Sequence, residues 1–113
     1  MTLQEIIDNL ELTVLTTPKN FKEITPSSAY ASDLLSCVMA GAKNQGIWIT
    51  LQAHINIVAV AALLDLSAII IRENAMPDAA TLARANTEGI AFLSTPKPIF
   101  TIAGRLWEMG LRE

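Results

Sequence analysis

The sequence predicts an α/β fold: a three-layer sandwich in which a mainly parallel sheet of four to five strands carries helices on both faces. Three observations predict it. From Ile47 onward, short runs rich in Ile and Ala alternate with stretches of helical period. The connections between them are short, as in βαβ units. Hydrophobic residues make up 51% of the chain against 17% charged and 5% aromatic, so the core is aliphatic and built on regular elements. Strands read as continuous apolar runs when both faces are buried, and joining parallel neighbours through helices requires right-handed crossovers.

The elements follow in order. MTLQEIIDNLEL opens with a helix in which Thr2 and Glu5 have the spacing of a capping box. LELTVLT, Leu10 to Thr16, is β-branched and reads as a strand stopped by Pro18. Pro18 to Ala31 holds two prolines and no period, so it is a loop with a short strand around Phe21 to Ile24. Ser32 then stands as N-cap with Asp33 in the first turn. Leu34, Leu35, Val38, Met39 and Ala42 recur at helical spacing up to a stop near Lys43 to Gly46. Beyond it IWITL is a buried strand, Ile55 to Leu64 a buried helix, SAIII a strand, Ala79 to Glu88 a helix, IAFLS a strand and Ile99 to Met109 a helix. Pro77-Asp78 opens the fourth helix and Gly89 closes it.

At 113 residues the chain fits one domain, with residues 1–31 supplying a helix, a strand and a loop and residues 32–113 the core. Its 8 basic and 11 acidic residues are scattered, net −3, without the basic cluster that would neutralise a phosphate backbone, so nucleic acid is not an expected partner. Cys37 stands alone in an apolar run, which points to a reduced compartment and to a small buried side chain. The apolar stretch Ile55 to Ile71 is interrupted by Asp65 and is short of the roughly 20 residues that a membrane span needs, so no membrane partner is expected. The N-terminus has no basic stretch leading into an apolar one, and the expected location is the cytoplasm.

In an open parallel sheet, function gathers at the carboxyl ends of the strands. Each such edge is polar here. After IWITL the residues Thr50, Gln52, His54 and Asn56 alternate with Leu51, Ala53 and Ile55, so an extended chain puts all four on one face. They lead into a helix N-terminus, where unpaired N–H groups and the dipole favour a carboxylate or phosphate. Ser94 and Thr95 follow the last strand and complete the candidate ligand site. The plainer reading has Asn56 capping the helix, His54 bonded to a buried carbonyl, and Gln52 and Thr50 bonded to neighbouring loops.

Catalysis and cofactors are not expected. His54 is the single histidine, no metal-ligand spacing accompanies it, and no nucleophile has an evident activating base. Neither a G-x-x-x-x-G-K-[ST] loop nor a G-x-G-x-x-G turn occurs.

The stretch from Ser32 to Leu111 resembles a DRTGG domain. The resemblance rests on SDLLSCVMAGA, IWITLQAHINIVAVAALLDLSAIII, MPDAATLARANTEGIAFLSTP and IFTIAGRL, and on Pro77, Asp78, Gly89, Thr101, Ala103, Arg105 and Leu106 in particular. That family is similar to the N-terminal domain of bacterial HPr kinase/phosphorylase, and it occurs as the regulatory region of long phosphate acetyltransferases and beside CBS domains. The resemblance implies an accessory regulatory domain, HPr kinase N-terminal-domain-like in fold, without chemistry of its own. The family's Asp-Arg-Thr-Gly-Gly motif belongs at Gln52 to Asn56, where this chain reads QAHIN, so the motif itself is absent.

Two functions remain. One is a non-catalytic sensor that binds a small anionic metabolite or nucleotide at the carboxyl edge. The other is an oligomerisation or partner-binding module without a small ligand. IFTIAGRLWEMGL spreads Ile99, Ile102, Ala103, Leu106, Trp107 and Met109 over a wide arc, more apolar surface than a sheet edge needs, which points to a homodimer or larger homo-oligomer. Trp48 is a second candidate for partial exposure.

Overall fold

The computed structural model describes all 113 residues. The elements are α1 (Leu3–Leu10), β1 (Thr13–Val14), a single 3₁₀ turn (Phe21–Glu23), β2 (Ala29–Ala31), α2 (Leu35–Gly41), β3 (Ile47–Thr50), α3 (Asn56–Leu63), β4 (Ala68–Ile71), α4 (Ala79–Glu88), β5 (Ala91–Ser94) and α5 (Ile99–Glu108). The sheet order is β1-β5-β4-β3-β2. Strands β2 to β5 are parallel, and β1 pairs antiparallel to β5. The sheet is therefore mixed, with five strands.

Alternate side chains of each strand go to opposite faces, and they divide the core in two. Ile47, Ile49, Ala68, Ile70, Ala91 and Leu93 face Leu3, Ile6, Ile7 and Leu10 of α1 and Ile102 and Leu106 of α5. Trp48, Ile69, Ile71 and Phe92 face Val38 of α2, Ile57, Val58 and Ala61 of α3, and Ala85 of α4. The three layers are thus α2–α3–α4, sheet, and α1–α5. Central β4 is buried at every position, which is why SAIII reads as an unbroken apolar run.

The caps at α1 and α4 have the chemistry that their sequences announce. Thr2 accepts from the Glu5 N–H, Asp78 from the Thr81 N–H, and Gly89 closes α4 in the left-handed region.

Several expectations at the N-terminal half are corrected. The first strand is not Leu10 to Thr16. Leu10 ends α1, Glu11 takes the left-handed cap, and two residues pair with β5. In place of a strand at Phe21 to Ile24 there is a 3₁₀ turn, Phe21–Glu23, that buries Phe21, and the strand lies at Ala29–Ala31, in what reads as loop. Two of its three residues are Ala, which is depleted in strands. It is extended because the β3 backbone pairs with it, Ala29 against Ile47 and Ala31 against Ile49. Tyr30 packs against α2, where a β-carbon at Gly41 would fall 2.5 Å from its ring.

Ser32 does not cap α2 conventionally, since the helix begins at Leu35 and the Ser32 hydroxyl accepts from the Leu34 N–H. Cys37 is exposed, because only Val38 of this short helix is fully buried. Trp48 is fully buried, its indole N–H donating to the Ser32 carbonyl at 2.8 Å.

Trp48→Ala removes both the ring and that bond, and should lower unfolding free energy by about 3–5 kcal/mol in urea titration with an unchanged m-value. Cys37→Ala should stay within about 0.5 kcal/mol of wild type.

Candidate functional site

Strand β3 ends at Thr50, and the chain turns sharply before α3. The extended alternation of Thr50, Gln52, His54 and Asn56 is therefore not formed, and the four side chains do not share a face. Their separation follows from one residue that periodicity assigned to a helix. Asp33 lies between β2 and α2, and its carboxylate reaches across to β3 and β4. One oxygen accepts from the Thr50 hydroxyl at 2.9 Å and from the Leu51 N–H at 2.7 Å, and the other from Arg72 at the end of β4. Gln52 donates through Nε2 to the Asp33 carbonyl at 3.0 Å, and its N–H donates to the Thr50 hydroxyl at 3.0 Å. Asp33 thereby fastens the β3 turn and excludes an extended continuation.

The electrostatics follow from these bonds. Burial pushes the Asp33 carboxyl upward, but the Leu51 N–H, the Thr50 hydroxyl and Arg72 together outweigh it and hold the pKa below the ordinary value. For Arg72 burial opposes the charge, and its bonds to Asp33 and Glu73 more than compensate. Arg72 Nε is buried without an acceptor. With one cation shared by two carboxylates, the trio Asp33, Arg72 and Glu73 is net negative.

Beside it opens a cleft of about 260 Å³ lined by Asp33, Leu51, Gln52, Ala53 and His54. Of the sequence-derived candidates, Gln52 and His54 line it, and Thr50 is buried beneath it supporting Asp33. Asn56 does not line it; it is the first residue of α3, and its own side chain does not cap that helix, whose N-cap position is Ile55. Ser94 ends β5, two strands away, and Thr95 follows it, so neither joins the others. Thr95 is buried. Its carbonyl accepts from Asn74 and the Lys97 carbonyl accepts from Glu73, so the loops after β4 and β5 are closed on each other.

The N-terminus of α3 also differs from expectation. Its first three N–H groups are taken within the turn: Asn56 donates to His54 Nδ1 at 3.4 Å, Ile57 to the His54 carbonyl at 3.1 Å and Val58 to the Ile55 carbonyl at 3.1 Å. The dipole remains, but those donors are occupied. His54 lies near Asp78, whose pKa is lowered first by the Thr81 N–H, then by the Thr81 hydroxyl, with the His54 charge adding to both.

The cleft is consequently rich in acceptors. The Asp33 carboxylate is 41% exposed, Gln52 keeps Oε1 free, no Lys or Arg lines the walls, and His54 is the one side chain there able to carry positive charge. No group of three or more His, Cys, Asp or Glu is placed to hold a metal ion, and no helix is long and apolar enough to cross a membrane.

No protein-family model and no curated protein matches the chain. Among solved structures, it is similar to the CBS and DRTGG domains of the regulatory region of Clostridium perfringens pyrophosphatase, solved with its activator diadenosine tetraphosphate. The TM-score is 0.74 at 19% identity, over 91% of this chain and 44% of that one. The chain has a DRTGG-like fold. It spans less than half the length of its structural neighbour, and the neighbour is a regulatory rather than a catalytic region. In this DRTGG-like domain Asp33 and Arg72 are the residues that sequence reasoning missed. Asp33 reads as an ordinary first-turn helix acid, and Arg72 as one of several polar residues after SAIII. Both are defined by contacts some 39 positions apart.

Asp33→Ala should destabilise the domain by about 1–2 kcal/mol at pH 7, after discounting for the carboxylate's partial exposure. Because the folded pKa is the lower one, this difference is fully present above the unfolded-state value of about 3.9 and is lost as pH falls through the folded value. Paired denaturation curves of wild type and variant between neutral and acid pH check both magnitude and sign.

Proposed function

We propose that this chain is a non-catalytic regulatory domain that senses a nucleotide or a related small anionic metabolite in the cleft beside β3. The observation that carries the reading is the cleft itself: an ionised carboxylate, a free amide oxygen and one imidazole around about 260 Å³ at the carboxyl end of a parallel strand. The likeness to a regulatory region solved with a nucleotide activator supports the class of role. Acceptors select donors. The ligand end seated against Asp33 and Gln52 is therefore one that carries hydroxyl or amino groups, such as a ribose or a base edge, and the anionic end lies outward past His54. Bare phosphate or acetate lacks the donor end. On this reading Thr50 supports the site from beneath, Asn56 starts the helix that follows it, and Ser94 and Thr95 lie at the neighbouring β5 end, outside the site.

A thermal-shift panel tests this. A bound nucleotide at 100 times its Kd adds about 2.7 kcal/mol of stability, and His54→Ala should remove most of the shift while leaving the unliganded melting temperature within a degree or two. Equal stabilisation by inorganic phosphate alone would overturn the donor-end assignment. Silence across nucleotides, acyl phosphates and small carboxylates would overturn the sensing reading.

A second reading, a homo-oligomerising or partner-binding module, is favoured by Trp107, which is 53% exposed on α5. Trp107→Glu should then shift sedimentation toward monomer, and an unchanged assembly would count against the role of α5.

A further inference from the structure

Phe100, in the first turn of α5, is 88% exposed, and Trp107 follows it seven residues later. Between them stand Ala103 and Gly104. At Gly104 a β-carbon would meet nothing within 4 Å. Positions i, i+3, i+4 and i+7 form one stripe along a helix, here about 10 Å long. It runs from aromatic through small to aromatic.

Along one flank of the stripe lies the second cleft of the molecule, about 350 Å³, between α5 and the edge strand β2. Ala29, Ala31, Ile49, Ala103, Leu106 and Trp107 give it an apolar wall. All of β2 runs along it, and the methyl side chains of Ala29 and Ala31 fill little of the space. Arg112 also lines the cleft, its guanidinium 3.8 Å above the Trp107 ring. The same helix thus presents an exposed aromatic knob and, two turns on, an apolar hole. The other large exposed apolar residues within helices, Met39 of α2 and Leu63 of α3, line neither of the two clefts.

Resting on the oligomeric reading above, we propose that two copies of this chain pair through α5, antiparallel about a two-fold axis between Ala103 and Gly104. That axis sets Phe100 of each copy at the Trp107 end of the other, beside the cleft, and sets Ala103 against Gly104, where small side chains allow the helices to approach closely. A surface whose knob and hole exchange under a two-fold is what an isologous contact requires. The charges agree with this sense of pairing. Lys97 lies just before α5 and Glu108 ends it, so antiparallel helices bring Lys97 of one copy beside Glu108 of the other at both ends, whereas parallel helices would set like against like.

The test is sedimentation and cross-linking of the whole chain in a Cys37→Ser background. Wild-type protein should associate at concentrations on the order of 100 µM, and Phe100→Glu should weaken association on the order of 30-fold, the loss expected of a central aromatic anchor. Since Phe100 is almost wholly exposed, that variant keeps its fold, which an unchanged melting temperature checks. Lys97→Glu should weaken pairing, and Lys97→Glu with Glu108→Lys should restore it. Gly104→Cys should give a disulfide-linked dimer on mild oxidation, while Arg84→Cys, on exposed α4, should not. A monomeric wild type would overturn this interface together with the oligomeric reading. An oligomer indifferent to Phe100→Glu and not cross-linked through position 104 would overturn the interface alone.

Discussion

Strands β2, β3, β4 and β5 are laid down in one direction, each parallel to the last, and the rest of the structure depends on that order. Right-handed crossovers taken repeatedly in the same direction put every connecting helix on the same face, so α2, α3 and α4 form one layer. The opposite face of the sheet would be bare, and α1 and α5 cover it from the two ends of the chain, tied together by Arg105, which donates to the Asn9 carbonyl at 2.7 Å. The change of side comes after β5, whose loop leads to α5 while the loop of β4 leads to α4. Open α/β sheets place their crevice at such a switch. Here the two loops bond to each other and fill it, so the accessible polar cleft lies farther along, beside β3.

Asp33 links this architecture to the candidate site. Its carboxylate gathers the β3 turn and the end of β4 into one network, and part of the same carboxylate faces the cleft. A ligand donor there would bond to an acceptor already oriented by Thr50, Leu51 and Arg72, with little reorganisation on binding. The same network joins the cleft wall to strands β3 and β4 of the sheet.

The two sides of the sheet differ in how completely they are filled. On the α2–α4 side the largest side chains, Trp48 and Phe92, are wholly buried, and Tyr30 packs on Gly41. On the α1–α5 side the edge strand offers only Ala29 and Ala31, and the cleft against α5 is the result. Small residues at this edge leave open a space that a partner's side chain could fill, and the exposed aromatics of α5 stand next to it.

Much of this was legible in the sequence. β3, β4, β5, α3, α4 and α5 announce themselves because continuous apolar runs, helical periods and the caps Asp78 and Gly89 are local signals, set by burial on two faces and by backbone chemistry within a few residues. The Thr2 cap of α1 is local in the same way. The strand at Ala29–Ala31 carried no such signal, since its extension comes from pairing with β3. The antiparallel β1, the burial of Trp48 and the exposure of Cys37 likewise depend on which neighbours arrive. The candidate site divides along the same line. Gln52 and His54 could be marked from their place after a strand, but the role of Asp33, the closure of the Thr95 loop and the turn that separates Thr50 from Asn56 are set by hydrogen bonds between residues far apart in the chain. Periodicity records which way a side chain faces on its own element, and only the assembled sheet determines what it meets there.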